Sequence, residues 1–315
     1  MRRIVILNTA VNDTNLGNKI IMEAVYLWLR TVFRSDFIYE VPALEYLTVG
    51  RALVVNADYV FLGGTNLLSS NMRETSEWRV RYKDTLWLND VILMGVGWWQ
   101  YEDIPPTTCS RLLLSRVLTK RFIHSVRDSY TAKKLRSMGF KAVSTGCPTI
   151  WGLNSEHCSL IRTKRAENVL LTFTEYNQSP RYDKLLFDIL RKNYSKIYFW
   201  PQMFGDYRYA KSICGNNIVF VDPSIEALDD LLKTQPIDYV GTRLHAGIRA
   251  LQHKQRTIIV GIDNRAIEMR KDFNLPVIAR GDIPNELEKW INSCWKTEIY
   301  IPEKEIGEWC RQFTV

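Results

Sequence analysis

Short apolar runs recur along the chain, separated by stretches whose apolar positions repeat at helical spacing. In the first half the runs predict strands over residues 4–8, 37–41, 59–62, 91–96, 122–126 and 142–144, with helices such as 19–32 and 129–138 between them. The second half repeats the scheme, with strands over 169–174, 197–201, 218–221, 237–240 and 257–260. Its helices are expected at about 182–193, 225–232 and 244–253. Continuous apolar runs alternating with helices describe βαβ units whose parallel sheets are covered on both faces. The expected fold is therefore α/β, with two Rossmann-like domains whose parallel sheets face a cleft. The boundaries fall at 1–155 for an N-terminal domain and 166–300 for a C-terminal one, with a polar linker within 151–167. A final segment, 301–315, contains an amphipathic helix expected to return to the N-terminal domain.

Composition narrows the class. Of 315 residues, 46% are hydrophobic and 24% charged, a globular balance large enough for two cores. The net charge of +8 is scattered, with small clusters at 162–165 and 191–196. These clusters read as solvated surface or as affinity for anionic substrates or an anionic membrane face. No nucleic-acid motif accompanies the charge, so nucleic acid is set aside as a partner. Six cysteines without paired spacing and only four histidines suggest free thiols, a reducing compartment, no metal and no cofactor. The N-terminal apolar run is far too short for a signal peptide. The apolar stretch near 86–99 is broken by Asn89, Asp90 and two glycines, so no segment reads as membrane-spanning. The expected location is cytoplasmic, with contact at the inner face of the membrane.

The most informative segment runs from Gly241 to Ala250. It follows the apolar run Ile237–Val240 and opens the spacing Leu244, Ile248, Leu251, so it joins a buried strand to a helix. Thr242 is the expected N-cap, which puts Arg243 and His245 in the first turn. Free N–H groups and the helix dipole favour an anion there. A guanidinium adds a forked grip for carboxylate or phosphate, and an imidazole adds a group that exchanges protons near neutral pH. The competing reading is a solvated arginine and a packed histidine.

Other loops end strands in the same way. The polar loop around Asn15, Gly17 and Asn18 can present amides to a ligand or simply turn the chain. Gly63 and Gly64, followed by Thr65 and Asn66, allow a bound group to approach the backbone, or make a tight turn. Gly95-Val96-Gly97 lacks a third glycine and is followed by Trp98 and Trp99, which excludes a dinucleotide fingerprint. Trp98 can stack on a sugar or pack in the core. Arg127 should emerge at a strand end, beside Asp128 or Ser129 as helix cap, unless it merely pairs with Asp128. Gln202, after Trp200 and Pro201 and shortly before Asp206, can bind a sugar hydroxyl or tie down its turn.

Taken in order, these pieces resemble the polysaccharide pyruvyl transferase family over nearly the whole chain. The likeness is carried most specifically by Gly241-Thr-Arg-Leu-His-Ala and the following 257–263, with support from the Asn15–Asn18 loop, Gly63–Asn66, 126–128 and Pro201-Gln202. It departs from the family at Asn18, where aspartate is usual, at Thr65, and at Cys147 before Pro148. The resemblance implies a glycosyltransferase-B-like fold, with the acceptor side in the N-terminal domain. It also implies transfer of the enolpyruvyl part of phosphoenolpyruvate to a sugar of an exported or cell-surface polysaccharide, or of its lipid-linked precursor, as a ketal. On that reading His245 and Arg243 are catalytic. Arg127, Thr242, Asn15, Asn18, Gly63, Gly64, Asn66, Trp98, Gln202 and Arg265 bind substrate, with Arg265 standing in for a lysine often seen near that position. Two alternatives stay open: a glycosyltransferase of the same architecture using a nucleotide sugar, and a non-catalytic carbohydrate-binding homologue.

Overall fold

A computed structural model describes residues 1–314. It divides into two compact units. One contains Met1–Asp13, Ile21–Trp151 and the segment from Ile301; the other contains Thr14–Ile20 and Gly152–Tyr300. The short Thr14–Ile20 segment groups with the second unit for a local reason. Leu16 N–H donates to the Gln202 carbonyl at 3.2 Å and Gln202 Nε2 donates to Asn15 Oδ1 at 2.7 Å.

The first unit holds eight strands: β1 (Arg3–Asn8), β2 (Phe37–Pro42), β3 (Tyr59–Gly63), β4 (Asn66–Leu68), β5 (Val91–Met94), β6 (Gly97–Trp98), β7 (His124–Val126) and β8 (Ala142–Ser144). Its main sheet is parallel, in the order β2-β1-β3-β5, with Val5 opposite Tyr39 and Val60. The branched run Ile4-Val5-Ile6 is fully buried at its centre. Two further parallel pairs, β4 with β6 and β7 with β8, lie outside that sheet. The helix Leu16–Val32 contributes Ile21, Val25 and Leu29 to the core, the one-face spacing of a helix packed on a sheet. The helix Glu303–Arg311 closes the unit. Trp309 sits edge-on to Phe61 and Trp151, and Phe313 meets Phe33, Tyr59, Phe61 and Phe122.

The second unit holds one six-stranded sheet: β9 (Asn168–Thr172), β10 (Lys196–Phe199), β11 (Val219–Phe220), β12 (Ile237–Gly241), β13 (Thr257–Gly261) and β14 (Val277–Ala279). All strands are parallel and run β11-β10-β9-β12-β13-β14. Counted within the unit this is 3-2-1-4-5-6, the Rossmann order, whose direction reverses between β9 and β12. At the amino edge a buried Asp238 accepts from Arg256 at 2.9 Å and from the Tyr194 hydroxyl at 2.9 Å. Burial and that carboxylate push the Tyr194 hydroxyl far above its ordinary range, so this cluster is structural. Strands β4, β6 and β14 and the helices Phe204–Cys214 and Asn264–Phe273 were not marked by the apolar pattern. Among the described residues no helix is long and apolar enough to cross a membrane.

Candidate active site at the sheet reversal

Where a doubly wound sheet reverses its winding, two crossovers diverge and leave a crevice at the carboxyl ends of the strands. In the second unit those ends are Thr172 to Thr174 after β9 and Gly241 to Arg243 after β12. They approach closely. A Cβ on Gly241 would lie 2.7 Å from the Thr172 nitrogen and 2.4 Å from its hydroxyl, so only glycine fits. Thr242 N–H donates to the Thr172 carbonyl at 3.0 Å, and its hydroxyl shares a hydrogen bond with Thr174 at 2.8 Å. Arg243 N–H donates to the Thr172 hydroxyl at 3.2 Å, and the Tyr239 hydroxyl donates to the Arg243 carbonyl at 2.6 Å. Burial raises the Tyr239 hydroxyl well above its usual pKa, so it stays protonated as a donor.

This corner sets the start of the helix Leu244–Gln252. Its cap is Arg243, in extended geometry and without a side-chain cap, so Thr242 stands one residue outside the expected N-cap position. The reason is that Thr242 spends its hydroxyl on Thr174. His245 follows at the second helical position and is buried, 7% exposed.

The Arg243 guanidinium is 2% exposed, and its fork closes on Asp206 through Nε at 3.0 Å and through Nη2. Nε also donates to the Phe173 carbonyl at 3.1 Å. Asp206 is itself fixed, accepting from the backbone N–H groups of Glu175 at 3.0 Å, Gln202 at 3.1 Å and Met203 at 3.1 Å. Arg243 lies 4.9 Å from the Tyr176 ring centroid, and the Tyr176 hydroxyl accepts from Arg265 at 2.9 Å. Arg265 in turn forks onto Asp263, the cap of the helix Asn264–Phe273. Burial alone would lower the Arg265 pKa, but Asp263 and Tyr176 outweigh it and hold the group charged. Two buried polar atoms here have no hydrogen-bond partner, Arg243 Nη1 and Gln202 Oε1. Asn15 Oδ1 accepts from Gly17 N–H at 3.0 Å as well as from Gln202, and Asn18 N–H donates to the Asn15 carbonyl at 3.0 Å.

The first unit gathers a second polar group. Arg127 is 1% exposed, pairs with Asp128 at 3.0 Å and donates to Asn66 Oδ1, while Asn66 Nδ2 donates to the Trp99 carbonyl at 3.1 Å. Asp128 also caps the helix Ser129–Arg136 by accepting from Thr131 N–H at 2.7 Å. A Cβ on Gly97 would fall 2.2 Å from the centre of the Arg127 guanidinium. Gly63 and Gly64 pack on Met22 and Ile21.

The family's sequence model, polysaccharide pyruvyl transferase, matches residues 15–264. The chain belongs to this family. No curated protein matches it in sequence. Among solved structures, MnaA of S. aureus in complex with UDP superposes with a TM-score of 0.52 at 11% identity, covering 98% of this chain and 91% of that one. A variant of the wall teichoic acid polymerase TagF gives 0.42 at 11% identity, covering 99% and 82%. The likeness to MnaA is one of fold, and the architecture is glycosyltransferase-B-like.

Within this family member, the predicted residues Arg243, Thr242, His245, Gln202, Asn15, Asn18 and Arg265 all belong to the second unit. Arg127, Asn66, Trp98, Gly63 and Gly64 belong to the first. The structure corrects the reading of three arginines as open anion grips. Arg243, Arg127 and Arg265 each spend their fork on a neighbouring carboxylate, because a guanidinium buried at a strand end needs a compensating charge. It also corrects Trp98 as a stacking platform. Its ring is fully buried and its N–H is donated to Glu102, so it packs the core. Asp206 and Tyr176 carry more of the site than the sequence indicated. Asp206 falls three residues after Met203, the spacing of a first-turn cap, but its partner 37 residues away is set by strand order.

Proposed function

We propose that this chain, a polysaccharide-modifying transferase by family membership, moves the enolpyruvyl group of phosphoenolpyruvate onto two hydroxyls of one sugar, forming a ketal and releasing phosphate. The observation that carries the reading is the placement of the family's Arg-Leu-His segment at the reversal point of the second sheet. There His245 sits in the first turn of a helix whose free N–H groups favour an anion. A proton added to carbon 3 of the donor leaves carbon 2 with oxocarbenium character. One sugar hydroxyl adds to carbon 2, the bond to the phosphate oxygen breaks, and the second hydroxyl closes the ketal. The two hydroxyl protons balance the step, one ending on carbon 3 and one on phosphate.

His245 is the acid and base for these transfers. Arg243 is a positioning residue: pinned by Asp206, it fixes the corner from which His245 rises and keeps its Nη1 amino group for the donor. The acceptor is a free or lipid-linked saccharide, met at the inner face of the membrane. The test is phosphate release from phosphoenolpyruvate with such acceptors. His245→Ala should lower turnover by about 10²–10⁴-fold, the usual worth of a general acid or base, with the circular-dichroism melt unchanged. Full activity in His245→Ala, or release of nucleoside diphosphate from nucleotide sugars with no phosphate released from phosphoenolpyruvate, overturns the assignment.

A further inference from the structure

A cavity of about 350 Å³ opens at the amino edge of the second sheet, beside the residues that lead into β14. It lies at the opposite end of the strands from Arg243 and His245. Trp290 and Trp295 line it, with Arg270, Lys296, Thr297 and Glu298. The two indoles stand 5.5 Å apart at 56°, and Trp295 is backed by the Arg256 guanidinium at 4.9 Å. Thr297 is 5% exposed, yet its hydroxyl has no hydrogen-bond partner. A buried, unsatisfied hydroxyl in a cavity wall is a polar atom in need of a ligand. The volume is that of a small-ligand site.

We propose that this cavity is a non-catalytic subsite for an acidic saccharide segment. Indole walls match the apolar C–H faces of sugar rings. Thr297 and Glu298 exchange hydrogen bonds with ring hydroxyls, and the exposed Arg270 and Lys296 receive a carboxylate. The acidic specificity rests on the ketal reading, because each pyruvyl ketal adds one carboxylate to the polymer. Such a subsite would hold modified chain while the other edge of the sheet acts on the next sugar.

The experiment is calorimetric titration of the full chain with oligogalacturonate hexamer and, in parallel, with maltohexaose. The acidic probe should bind with salt-weakened affinity, at least about tenfold tighter than the neutral one, and the Arg270→Ala/Lys296→Ala double variant should lose about tenfold. Thr297→Val should weaken both probes at unchanged melting temperature. His245→Ala should bind like the parent; a parent chain that binds the acidic probe but releases no phosphate from phosphoenolpyruvate sinks the catalytic reading and leaves this subsite standing. No binding of the acidic probe, equal binding of the two probes, or affinities indifferent to these variants overturns the proposal.

Discussion

Arg243 and Asp206 show what a single residue type can and cannot disclose. An arginine after a strand reads equally as an anion grip or as half of a pair. The decision lay in a carboxylate 37 residues away that local spacing does not connect to it. The pair is now a prediction of its own. Removing one partner strands the other charge in the interior, so Asp206→Asn and Arg243→Gln should each cost about 3–5 kcal/mol in urea unfolding. In the double variant the losses should fall well short of additive. His124 offers a cleaner electrostatic test. Its Nδ1 accepts from Leu93 N–H at 3.2 Å, and Nε2 faces the Thr119 carbonyl at 2.9 Å, so the ring is held neutral. Burial lowers its pKa from 6.5 to about 4. The unfolded chain therefore takes up a proton that the fold refuses. Stability is complete above pH 6.5 and is lost as the pH falls toward 4, by about 3 kcal/mol from this group. Urea midpoints at pH 7.5 and 4.5 should show a steeper acid loss in the parent than in His124→Gln.

At the scale of elements, the apolar runs located β1, β3 and β12 because these strands are buried on both faces and carry branched residues. The two-residue β6 and the three-residue β4 and β14 went unmarked, although β7 and β8, each also of three residues, were located. The corner after β12 was legible as a strand-to-helix turn. Its cap was displaced by one residue because Thr242 bonds sideways to Thr174. That sideways stitching depends on Gly241. Gly241→Ala puts a methyl into the Thr172 backbone, so it should destabilise the second unit and lower phosphate release together. Thr174→Val, which removes only one hydroxyl partner, should cost about 1 kcal/mol in the same denaturation assay.

Across the whole molecule, the alternation of strands and helices gave the two parallel-sheet units without any knowledge of strand order. Order decides which strand ends are neighbours, and so which residues make a site. Sequence spacing holds no record of it. The tail illustrates the point from the other end of the chain. Trp309 is fully buried among rings contributed by distant segments of the first unit. Trp309→Ala should therefore cost about 3–5 kcal/mol, read as a fall in the thermal midpoint.

The bare backbone at Gly97 beneath Arg127 offers a way to interrogate that cation without removing it. One added methyl, Gly97→Ala, must shift the guanidinium from its present position while leaving net charge and side-chain chemistry in place. Position 97 thus works as a displacement switch. It lets the geometry of a buried positive charge be varied separately from its presence, a distinction that substituting the arginine itself can never make.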